Sequence, residues 1–145
     1  MTDPLYRKEI LRLAADAAGA GRLAHASGSA TVANPACGDR VTVDVTVEGG
    51  RITALAHHTR ACILTQASAA ILGADAVGLN RMEVARLAEA VRAALAGGPM
   101  PPAPFDAYAV FDGLIPHKPR HKCVLLPLEA ALEALSVLEL SEPGA

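Results

Sequence analysis

Tryptophan is absent from this chain, and tyrosine and phenylalanine occur only twice each. With 3% aromatic residues the core cannot be built on large rings. The 52% apolar content, much of it alanine, must pack as small aliphatic side chains, a composition that favours helix. A surplus of one charge is missing too. Thirteen basic residues against fifteen acidic ones leave a net charge of -2, which draws neither a polyanion nor an anionic bilayer. No nucleic acid and no membrane are therefore expected as partners. No run of about 18 apolar residues occurs, so no transmembrane helix is expected. The opening Met1-Thr2-Asp3-Pro4 lacks the basic and apolar regions of a secretory leader, and a cytoplasmic location is expected. Cysteine is scarce as well. The three thiols cannot all pair, and no two have Cys-x-x-Cys spacing. In a reducing compartment they point to metal binding or thiol chemistry, with plain buried thiols as the alternative.

What is present reads as one domain over residues 1–145, long enough for a real core. Asp3 and Pro4 form a helix start, followed by Leu5, Tyr6, Ile10, Leu13, Ala14 and Ala17 at rough helical spacing and by Gly19 and Gly21 as stops. Residues 28–34 carry a weak strand signal. Over residues 40–48 the signal is strong: Val41, Val43, Val45 and Val47 alternate with polar residues, a half-buried strand. Gly49-Gly50 is a hairpin turn, and residues 51–58 return as the partner strand with Ile52 inward.

Residues 62–72 read as a helix with Cys62 at or before its first turn, where free amides lower a thiol's pKa. Gly73 and Gly78 are expected to break it. Asn80 and Glu83 make a capping-box start for the next helix, whose core face is Met82, Val84, Leu87, Val91 and Leu95. Gly97-Gly98 ends that helix, and residues 99–104 are a proline-rich loop. Residues 105–114 suggest a short helical turn. Pro127 is expected to divide a turn around Cys123 from a last helix striped by Leu128, Ala131, Leu132, Leu135 and Leu138.

The stretch Asn34-Pro35-Ala36-Cys37-Gly38-Asp39 concentrates the chemistry. It sets a soft thiol and a hard carboxylate two positions apart on a turn tightened by Pro35 and Gly38. The hairpin carries the chain out from this turn and back, so Cys62 returns close to Cys37 and Asp39. Cys123 supplies a fourth donor. Such a set suits zinc in a tetrahedral shell or, with an oxygen among the thiolates, an iron–sulfur cluster.

These residues carry a resemblance. The Asn34–Asp39 stretch, Ala61-Cys62-Ile63 with Ala67-Ser68, and Arg120-His121-Lys122-Cys123 occur in an order that resembles the IscU/NifU-type iron–sulfur cluster assembly proteins. The likeness spans nearly the whole chain and leans to the SufU-like branch. The interval from Cys62 to Cys123 is long, Lys122 stands where IscU-type members have His, and their proline-containing chaperone-recognition motif is missing. Ala61 replaces the family's Gly, so the approach to Cys62 is expected to follow an altered path. Leu128 stands where the family often has Trp.

The resemblance implies an α+β fold, a three-stranded antiparallel sheet covered on one face by N- and C-terminal helices in a SufE/NifU-like architecture. It implies a site of Cys37, Asp39, Cys62 and Cys123 that binds Zn2+ or iron as a [2Fe-2S] cluster. The chain is then a scaffold or a sulfurtransferase-like acceptor, with Cys37 taking persulfide sulfur from a SufS-like cysteine desulfurase and downstream recipient proteins taking the product. A zinc-stabilised protein-binding module with no sulfur transfer is the alternative. Arg120 and Lys122 can serve the site or simply face water. His57, His58, His117 and His121 are all minor ligand candidates; His57 and His58, adjacent on a strand, point to opposite faces and cannot both be ligands.

Overall fold

The computed structural model describes residues 7–34 and 38–141. Helix α1 (Lys8–Asp16) leads into strands β1 (Gly28–Asn34), β2 (Asp39–Glu48) and β3 (Arg51–Arg60). Helices α2 (Ile63–Asp75) and α3 (Arg81–Leu95) follow, then a 3-10 helix (Phe105–Leu114), a short 3-10 turn (Lys118–Arg120) and helix α4 (His121–Ser141). The expected start at Asp3 and Pro4 lies outside the described residues.

The sheet is antiparallel throughout, in the order β1-β2-β3. Its register sets Val43 opposite Ala30 and His57, and Arg40 opposite Ala33 and Arg60. The valine alternation of β2 decides which face is buried: Val41, Val43 and Val45 are fully covered. Helix α4 packs on β1 and β2, and α2 packs on β3, all on that side. Helix α2 is apolar on several faces because α1 and α4 flank it, and it buries Leu64, Ala67, Ile71 and Leu72. The fold is therefore α+β, with helices from both ends of the chain on one face of the sheet.

Four expectations are corrected. Strand β3 runs to Arg60, two residues past His58. Gly73 does not break α2, which continues to Asp75; a Cβ built at Gly73 would lie 2.2 Å from the Ala18 carbonyl oxygen, so glycine there permits a close backbone approach. Met82 is 60% exposed and is not part of the core face of α3, although Val84, Leu87, Val91 and Leu95 are. Its first-turn position faces solvent, while α3 packs on α4 and the 3-10 helix. Pro127 lies inside α4 and does not divide it. It lacks an N–H for the Cys123 carbonyl four residues back, and the tertiary packing of α4 outweighs that loss.

Residues 105–114 form a 3-10 helix that buries Phe105, Tyr108, Phe111 and Leu114. Their spacing of three is the period of that helix, so one face carries all four. Leu128 is fully buried, a core position as expected of a residue standing where a large ring is common.

Candidate metal centre

Asp39 opens β2 opposite Asn34, the last residue of β1. The Gly38 N–H donates to the Asn34 carbonyl at 2.9 Å, and Gly38 has φ 74, a left-handed conformation that explains glycine at this turn. Asp39 has the parity of Val41, so its carboxylate faces the helices and is 7% exposed. Cys62 is the N-cap of α2, directly after β3. Cys123 lies in the first turn of α4 and is 3% exposed. Strand start, helix cap and helix start thus converge at one end of the sheet.

One ligand atom each from Asp39, Cys62 and Cys123 lies within 4.8 Å of the others. Donors about 2.0–2.3 Å from a tetrahedral ion stand roughly 3.5–3.8 Å apart, so small side-chain adjustments close this triangle on an ion. Cys37 lies outside the described residues. The residues present fit a metal on a second ground. The Asp39 Oδ2 atom is buried and has no hydrogen-bond partner among the described residues. A desolvated carboxylate oxygen is costly unless something positive or donating meets it.

The Cys62 thiol is pushed down from its ordinary value of 9.0 to about 6. The main cause is a hydrogen bond from Cys123. Burial opposes it, and the Thr65 hydroxyl, 3.5 Å away, and the Thr65 and Leu64 amides reinforce it. Near neutral pH Cys62 is therefore a thiolate, the form a metal binds. The sequence-based expectation of a helix-start thiol with a lowered pKa is met, with Cys123 as the larger influence.

The approach to Cys62 is held without strain. Ala17 is the one non-glycine residue with positive φ among the described residues, so Ala61 needs no left-handed conformation. The Gln66 side-chain amide reaches back from α2 and donates to the Ala61 carbonyl at 2.9 Å. Alanine is thus compatible with this loop. Gln66 and Thr65 are supporting residues that the sequence motifs did not single out, whereas Ser68 lies in the Ala67-Ser68 part of the motif. The offsets of three and four residues from Cys62 to Thr65 and Gln66 are the signal that locates those two.

The histidines belong elsewhere. His57 is buried, with Nε2–H donating to the Ala18 carbonyl at 2.9 Å and Nδ1 accepting from the Thr59 hydroxyl at 3.0 Å. His58 is exposed on the opposite face. His121 Nε2 donates to the Leu114 carbonyl at 2.7 Å. Arg120 and Lys122 are exposed. Lys122 borders a cleft of about 240 Å³ lined also by Asn34, Leu126 and Glu129, and burial pushes the Glu129 carboxyl up.

The fold is that of a known family. The family model for the NifU-like N-terminal domain matches residues 5–131, and the chain belongs to that family. It is similar to the crystal structure of a nitrogen-fixing NifU-like protein (N-terminal) from Brucella abortus, with 30% identity, TM-score 0.90, and coverage of 97% of this chain and 98% of that one. It also has the fold of a protein from the thermophile Fervidobacterium islandicum AW-1 described as an iron–sulfur cluster assembly scaffold for the SUF system. There the identity is 21%, the TM-score 0.83, and the coverage 93% and 99%. A hypothetical protein of known structure shares the fold at 23% identity and TM-score 0.71, over 88% of this chain and 96% of that one. No curated protein matches the sequence significantly. Among the described residues no helix is long and apolar enough to cross a membrane.

Proposed function

We propose that this chain is an iron–sulfur cluster assembly protein. It accepts sulfur from a cysteine desulfurase and holds iron, a [2Fe-2S] cluster or zinc between Cys37, Asp39, Cys62 and Cys123. The observation that carries this reading is the convergence of Asp39, Cys62 and Cys123, three residues far apart in sequence, with a buried carboxylate oxygen that no described residue partners. Membership of the NifU-like family and the description of the Fervidobacterium protein support it.

Each residue has a part. Cys62, deprotonated near pH 7, and Cys123 supply soft donors from the starts of two helices. Asp39 supplies an oxygen donor, which is exchanged more readily than a thiolate and keeps the cargo transferable. A bound cation holds its ligand thiolates deprotonated. Cys37 is the sulfur acceptor: its thiolate attacks the outer sulfur of the donor's persulfide. The donor's S–S bond breaks, the electron pair leaves on the donor thiolate, and Cys37 carries the new persulfide.

Metal analysis with a visible spectrum of freshly purified, anaerobically handled protein separates scaffold from relay. Charge-transfer bands with iron and sulfide mark a scaffold; stoichiometric zinc without such bands marks a zinc-dependent relay. A persulfide mass increment on Cys37 after incubation with desulfurase and cysteine is expected. A Cys37→Ser protein that accepts sulfur as well as wild type refutes that role. Unfolding on chelation, with no sulfur accepted by the wild type, favours the zinc-stabilised binding module instead.

A further inference from the structure

The face of the sheet turned away from the helices carries a feature the metal centre does not use. Arg40 on β2 stands directly opposite Arg60 on β3. Directly opposed side chains on antiparallel strands have Cβ atoms about 4.5–5.5 Å apart, and like charges there are destabilising. Both arginines are exposed, and no carboxylate among the described residues pairs with either. The next row of the same face sets Thr42 opposite His58, which is exposed. The nearest acid on this face, Asp44, is already neutralised by Arg22 at 2.6 Å. A chain of net charge -2 therefore concentrates unpaired positive charge in one row.

We propose that Arg40 and Arg60 are the docking point for an acidic surface segment of a partner protein. Two guanidinium forks on neighbouring strands can bracket carboxylates bidentately. Charge complementarity selects the occupant's chemistry, and the flatness of the row selects its size. On an open sheet face two wet cations hold a lone small anion weakly at physiological salt, whereas a protein surface adds further contacts and is steered to the row. The row adjoins the metal centre, with Arg40 next to Asp39 and Arg60 two residues before Cys62. A partner seated there lies against the edge of the site. The like-charge pair costs the fold stability, and docking uses it.

The test is an amide-resolved NMR titration of the full chain with an acetylated octaglutamate peptide at low salt, against inorganic phosphate at matched ionic strength. It measures neither sulfur nor metal, so its outcome is independent of the proposed activity. Saturable shifts are expected on Ala33, Arg40, Thr42, His58 and Arg60. Arg60→Glu is expected to bind the peptide at least about tenfold more weakly and to melt at a higher temperature, since the new carboxylate pairs with Arg40. A merely structural arginine does not give those opposed movements. The neutral double variant Arg40→Gln, Arg60→Gln is expected to show the same loss of binding. The proposal is overturned if phosphate reproduces the shifts at equal affinity, if shifts spread evenly over Arg81, Arg92 and Lys118, or if binding survives both variants.

Discussion

The Ser68 hydroxyl on α2 donates a hydrogen bond of 2.5 Å to the carbonyl of Val124 on α4. Ser68 lies one and a half turns after Cys62, and Val124 adjoins Cys123, so one buried bond ties together the helices that carry the two thiols. It does so where Pro127 interrupts the ladder of α4. Ser68→Ala leaves that carbonyl without its side-chain donor and is expected to cost about 1–3 kcal/mol. The melting temperature should fall by several degrees. A Ser68→Ala protein with the wild-type melting curve would remove the tie from the account of the site.

How much of this was legible beforehand follows from what each residue depends on. The β2 strand, the hairpin and the Asn80–Glu83 capping box were readable because local periodicity and short-range bonds dictate them. The gathering of Asp39 and Cys62 was readable because a two-residue turn fixes the register that brings them together. Pro127 and Gly73 were misread for the opposite reason. Both are helix breakers by local rule, and both lie inside helices that pack against elements far away in sequence. The bond made by Ser68, a residue of the motif, was out of reach of local rules too, since its partner lies 56 residues on. The 3-10 helix could have been found from the spacing of Phe105, Tyr108, Phe111 and Leu114.

Gly73 gives a direct test of such long-range control. Alanine is worth about 1 kcal/mol over glycine inside a helix. Against this, its Cβ would stand 2.2 Å from the Ala18 oxygen and 3.2 Å from the Gly19 Cα, and both obstacles are backbone. Overpacking costs about 1–3 kcal/mol, toward the upper end where no side chain can swing away. Gly73→Ala is therefore expected to be destabilised by about 1–2 kcal/mol net, read as a lower midpoint in urea at unchanged slope. A raised midpoint would show that the backbone approach of Gly73 to the Ala18–Gly19 loop is looser than described.

His57 should make stability depend on pH. Burial holds its pKa below the ordinary 6.5, opposed in part by its bond to the Ala18 carbonyl, with the neighbouring His58 charge lowering it further. The folded protein thus keeps His57 neutral where the unfolded chain protonates it. The contribution is fully present above about pH 6.5 and is lost as pH falls below that value. Between pH 7 and 5, wild type should lose stability more steeply than His57→Gln, by up to about 1.4 kcal/mol per pH unit, the limit for one proton. Parallel pH profiles for the two proteins would contradict the assignment.

Asp39 is placed to make the centre labile, and Asp39→Ala separates its two effects. In metal-free protein the substitution removes a buried oxygen that has no hydrogen-bond partner among the described residues. Relief of that unsatisfied group is worth about 1–3 kcal/mol, so the metal-free variant should melt higher than metal-free wild type. In loaded protein the substitution removes the hard donor from a set otherwise made of thiolates. Zinc, or iron in a cluster, should then pass to an external chelator more slowly than from wild type, because the donor that exchanges most readily is gone. Asp39→Asn checks the cause: it keeps the shape, removes the charge and should give an intermediate transfer rate. Faster metal loss from Asp39→Ala, with no gain in stability for its metal-free form, would mean that Asp39 anchors the ion rather than loosening it.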